Sequence, residues 1–276
     1  MTRERRIDVV FLLGGAVLTL LMFTALLETR AGAVPGSLAL PKLALMLAQV
    51  IVLSTAVFFA AGSSRRFEAG NPVRRCWAVL ALGLFLLVLG EATEAVYAVV
   101  WAIEDPFPSL ADLFFLLAYP LLVLAFLLFL RAYRQSGFQV ESGRGAFAWG
   151  VAGALGLVGL ATLAPAVHSS APLAERLIGV GYAVLDLIAL VPILLLLRVT
   201  WGFRGGDVWK VWAGILFGFV FTFLGDLLFA YLKTVGPGGI GPLAAPQLDS
   251  LTDLMFLLSY LAIARGTLHQ RELLGD

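Results

Sequence analysis

Ser109-Leu-Ala-Asp112-Leu-Phe-Phe-Leu-Leu-Ala-Tyr119 returns later in the chain as Ser250-Leu-Thr-Asp253-Leu-Met-Phe-Leu-Leu-Ser-Tyr260. The serine, the aspartate, the second phenylalanine and the tyrosine keep their register. Upstream, Trp77, Gly83 and Gly90-Glu91 return as Trp212, Gly218 and Gly225-Asp226, all displaced by one constant and slightly smaller offset. The change of offset falls on the Gly/Pro-rich stretch from Gly236 to Pro246. Similarity at two nearly equal offsets predicts a duplicated unit, and both copies place acids inside segments that otherwise read as lipid-soluble helices. A charged side chain at bilayer depth costs roughly 2.5–3.5 kcal/mol or more, so such residues face protein or water and mark functional sites.

The composition agrees with a membrane setting. Apolar residues make up 61% of the chain and charged residues 13%, against about 25% charged in soluble domains. Several apolar runs reach the roughly 18–20 residues needed to cross about 30 Å of hydrocarbon. The expected fold class is all-α: a polytopic membrane protein of eight transmembrane helices, near 8–28, 39–62, 76–102, 109–131, 146–166, 173–198, 209–233 and 250–267. On this reading 15 of the 19 Lys and Arg residues fall on one side, leaving only Arg30, Lys42, Arg176 and Lys233 on the other. The positive-inside rule then puts both termini in the cytoplasm and predicts a multi-pass protein of a bacterial inner membrane. The apolar stretch after Arg5-Arg6 is longer than a signal-peptide core and reads as a true span.

The expected organisation is a first four-helix repeat over 1–135 and a second over 146–270, forming one membrane unit. Four spans is an even number, so both copies enter in the same direction, as parallel repeats do around an axis along the membrane normal. No cytoplasmic output domain is expected. Gly150, Gly153, Gly156 and Gly159 in the span near 146–166 read as close helix packing. The single cysteine, Cys76, excludes an intramolecular disulfide and reads as packing.

The acids and tyrosines form the expected ligand-binding set. Glu91 and Glu94 share a face with Gly83, Tyr97 and Trp101, all within an arc of roughly 120°. Two like charges one turn apart repel, so one of the pair is expected to hold a proton or a cation. Asp226 is the counterpart of Glu91, with Thr222 and Lys233 on its face, and Lys233 is long enough to snorkel toward it. Asp112 and Asp253 each follow a serine by three residues, the capping-box spacing at a helix start. Tyr119 and Tyr260 lie two turns beyond them on the same face. Asp186 sits mid-span between leucines, with Gln49 the nearest polar match in the earlier copy.

Several classes of chemistry are excluded. His168 and His269 both lie at span ends, which rules out bis-histidine haem and a His-rich zinc site. Lys42, Lys210 and Lys233 are not mid-span, arguing against a retinal Schiff base, and neither a Gly-x-Ser-x-Gly elbow nor a phosphate loop is present. No catalytic residue, metal, cofactor or nucleic-acid partner is expected. What remains is carboxylate and phenol chemistry: binding of protons or cations, recognition of an amine or polar head group, or two-carboxylate hydrolysis.

The stretch from Pro108 through Asp112 and Tyr119-Pro120 resembles a recurring segment of the multi-span regions that precede bacterial GGDEF diguanylate cyclases and histidine kinases. Those regions similarly pair a Gly-Asp acid in one span with Ser-x-x-Asp opening the next. The resemblance implies a membrane-embedded sensory input module, acting through a separate cytoplasmic signalling partner. A second similarity, carried by Gly225-Asp226 and the span count, is to lysoplasmalogenase-like membrane hydrolases. Besides the lipid bilayer, the expected partner is an unknown small-molecule or lipid ligand.

Overall fold

Inside hydrocarbon a backbone amide finds no water, so apolar runs of this length fold as helices whose hydrogen bonds close within the segment. The computed structural model describes residues 40–103, 106–137, 150–160 apart from 152, 172–200, 206–235 and 245–275, and is all-helical there. Six long helices follow in order: α1 (Leu40–Arg66), α2 (Pro72–Val100), α3 (Leu110–Gln135), α4 (Leu173–Thr200), α5 (Asp207–Val235) and α6 (Ala245–Leu273). All six are long and apolar enough to cross a membrane. Residues 150, 151 and 153–160 are also helical. There Gly159 comes near Phe223 and Leu227 of α5, and Gly156 near Leu187 of α4. The expected span near 8–28 lies outside the described residues.

Local chemistry sets the helix starts. Asn71 caps α2 by accepting from the Val73 amide at 2.9 Å, with Pro72 at the first helical position, where its missing N–H costs nothing. Ser109 caps α3, and the Ser109 amide donates to the Asp112 side chain, completing the expected capping box. The matching expectation for Ser250 and Asp253 is corrected. Helix α6 begins at Ala245, so both residues lie inside it rather than at its start. Pro246 is compatible with a first turn, which lets the helix open earlier than the serine suggests.

Tight packing orders the helices. Helices α1, α2 and α3 pack in succession, as do α4, α5 and α6, and the two sets meet where α1 packs against α6 and α3 against α4. Trp77 and Trp212, each about 1% exposed, stack with ring centroids 6.4 Å apart, and Phe129 meets both edge-on. Tyr133 near the end of α3 accepts from Trp212 Nε1 near the start of α5 at 3.2 Å. These contacts put the end of α3 and the start of α5 at one end of the bundle. The same end collects Arg65, Arg66, Arg134, Arg198 and Arg271 from the last turns of α1, α3, α4 and α6. Large apolar side chains such as Ile51, Leu82, Leu177 and Phe217 stay 50% exposed or more, an exterior suited to lipid.

Candidate functional site: an acid and tyrosine cavity

The interval from Trp77 to Glu91 equals the interval from Trp212 to Asp226. Because the two indoles stack, both acids rise to the same level, about 21 Å along their helices at 1.5 Å per residue. They therefore lie toward the end opposite the arginines. The glycine before each acid makes room for a ring from the next helix. A Cβ on Gly90 would run into the Phe115 ring, and one on Gly225 would sit 2.9 Å from the Phe256 ring. Phe115 and Phe256 occupy matching positions in the two serine-to-tyrosine stretches.

Between these rings is a cavity of about 90 Å³, lined among others by Gln49, Glu91, Glu94, Asp112, Tyr119, Thr222, Asp226, Asp253 and Tyr260. One water centre needs roughly 10–15 Å³ of such space, so several waters or a small polar group fit. Seven of the nine sequence-predicted residues line it. Asp186 sits just behind, fully buried and bonded to Tyr119. Tyr97 is not among the lining residues; its ring packs 5.0 Å from Trp101 beyond the acids on α2.

Most of the hydrogen bonds around the cavity run between the two halves of the chain. Tyr260 of α6 donates to Glu91 of α2. Tyr119 of α3 contacts Asp226 Oδ2 of α5 at 3.1 Å and donates to Asp186 Oδ1 of α4 at 2.6 Å. Thus the tyrosine of each sequence copy meets the acid of the other. Tyr182 of α4 donates to Asp112 at 2.8 Å, so the carboxylate that caps α3 also ties it to α4. Gln49 Nε2 donates to the Asp253 carbonyl at 3.2 Å, and the Thr222 and Ser259 hydroxyls bond at 2.7 Å. The Lys233 side chain, expected near Asp226, lies outside the described residues.

Sequence reasoning missed Tyr182, although its position four residues before Asp186 puts both on one helix face, a signal that was available. Asp249 and Thr252 were also missed; both line the cavity from α6. The signal of Asp249 is masked when the helix is read as starting at Ser250. Among the described residues, no set of three His, Cys, Asp or Glu side chains is grouped to hold a metal ion.

Walls of carboxylates, phenols and phenyl rings suit a polar or amine-bearing group that makes several hydrogen bonds while its apolar part meets aromatic faces. No protein-family model, curated protein or solved structure matches the chain.

Proposed function

We propose that this protein is an integral membrane ligand-binding module, sensory in role, whose pocket opens toward the external side of a bacterial inner membrane. The reading rests on one observation above all. Tyr260 reaches Glu91 and Tyr119 reaches Asp226 around a single cavity, each pair joining opposite halves of the chain. A bundle held together only by packing has no need to place four matched polar side chains at one depth.

The proposal includes duplication: two parallel four-helix repeats, over 1–135 and 146–270, with eight spans and both termini in the cytoplasm. Its support is the recurrence of contacts at the sequence offsets: Gly90 with Phe115 against Gly225 with Phe256, and Gly83 with Leu122 against Gly218 with Ile263. The collected arginines favour a cytoplasmic location for that end. The resemblance to sensor regions supports a signalling role through a separate cytoplasmic partner.

The test is native mass spectrometry of protein extracted in a mild detergent. A retained lipid or metabolite that is lost at elevated detergent and restored on re-addition supports the binding reading. Two other readings would replace it under defined results. Turnover of a lysolipid panel, abolished by Asp226→Asn, would make the protein a hydrolase using paired carboxylates. Uptake into proteoliposomes driven by a pH gradient would make it a proton-coupled transporter.

A further inference from the structure

The hydroxyl of Tyr119 holds one proton, yet its oxygen lies 2.6 Å from Asp186 Oδ1 and 3.1 Å from Asp226 Oδ2. The two carboxyl groups therefore converge on one phenol oxygen. Asp186 is 0% exposed, and its second oxygen, Oδ2, meets no donor among the described residues. As two carboxylates, Asp186 and Asp226 can only accept, so one phenol proton would be left between two buried anions that repel. One added proton on either carboxyl relieves that repulsion, and the orphaned Oδ2 of Asp186 is an oxygen free to take it.

We propose that Asp186 and Asp226, clamped by Tyr119, form a buried proton-binding site that shares one proton and exchanges it with the cavity. Asp226 and Tyr119 line the cavity and Asp186 does not, so Asp226 is the entry side and Asp186 the store. Loading is simple in atoms and charge: a hydronium ion in the cavity gives its proton to a carboxylate oxygen and leaves as water. The pair passes from two negative charges to one. The titratable groups around it are Tyr119 and Asp112 from α3 and Tyr182 from α4. Across the cavity stand Glu91 and Glu94 from α2 and Asp249, Asp253 and Tyr260 from α6. Lys42 of α1 pairs with Asp249 at 3.9 Å. None of the described cavity-lining residues is Lys, Arg or His. This site stands whether the cavity binds, transports or hydrolyses its ligand.

The experiment is infrared difference spectroscopy of the whole protein in lipid nanodiscs, titrated from acid to alkaline buffer and exchanged into heavy water. The expected result is a protonated-carboxyl carbonyl band that persists at neutral pH. It should disappear in Asp186→Asn and in Asp226→Asn, stay in Glu91→Gln, and shift frequency without loss in Tyr119→Phe. A band that survives both aspartate variants, or that vanishes in Glu91→Gln alone, overturns the proposal. So does the absence of any such band in the wild-type protein at neutral pH. Should an aspartate variant fail to fold, wild-type protein carrying carbon-13 in its aspartate carboxyls decides the matter. The band moves with that label if the proposal holds and stays in place if it does not. Ligand retention measured on the same sample keeps this result separate from the fate of the binding reading.

Discussion

Glu91 of α2 accepts a hydrogen bond from Tyr260 of α6, at the far end of the chain. Its counterpart joins Tyr119 of α3 to Asp226 of α5. Each acid lies within a helix apolar enough to cross a membrane and is only 7% exposed, so each needs a donor close at hand.

The tyrosines should therefore matter more than their size suggests. Tyr119→Phe and Tyr260→Phe keep the ring and take one donor away from a buried carboxyl, at a cost of about 1–3 kcal/mol each. Tyr119→Phe is expected to be the more damaging, because its hydroxyl meets two carboxyls. Tyr97→Phe, outside the cavity, should change stability by less than about 0.5 kcal/mol. Thermal unfolding in nanodiscs ranks the three.

Gly90 and Gly225 should resist any side chain. An added methyl at either position runs into the ring of Phe115 or Phe256, and overpacking of this kind costs about 1–3 kcal/mol. Gly150, whose Cβ would meet nothing within 4 Å, should accept alanine without loss. Comparing melting temperatures of the three alanine variants checks the packing that shapes the cavity.

Orientation can be read with cysteines, since Cys76 is the only native one and is buried. In a Cys76→Ser background, Ser136→Cys marks the arginine-rich end and Ala102→Cys the end toward which the cavity lies. A membrane-impermeant maleimide applied to intact cells should label the second and spare the first. Labelling of Ser136→Cys alone would reverse the proposed orientation.

Much of this arrangement is legible in the chain. The constant offsets bring Glu91, Asp226, Tyr119 and Tyr260 forward before any coordinates, because identical spacing on helices of fixed rise places side chains at equal depth. The partners are less legible. A repeat says that two acids are equivalent, and leaves open whether each tyrosine serves its own copy or the other one. That is decided by how the helices of one half pack on those of the other, a tertiary matter with no trace in local spacing. Asp186 shows the same limit: its place mid-span is plain in the sequence, and its link to Tyr119 is not. The start of α6 misleads because Ser250 and Asp253 imitate a cap, whereas the backbone is already helical from Ala245. Tyr97 shares a helical face with Glu94 in the sequence, yet it stands a turn beyond the cavity, where it packs near Trp101. A shared face fixes direction around a helix and leaves depth along it undecided.

The central claim is that acids from both halves of the chain act on one bound ligand. The most direct measurement is the affinity of whatever native mass spectrometry finds retained, compared between the wild-type protein and a Glu91→Gln/Asp226→Asn variant of equal thermal stability. The account predicts a dissociation constant at least about tenfold larger in the double variant, about 1.4 kcal/mol. The same ligand held with unchanged affinity would contradict it.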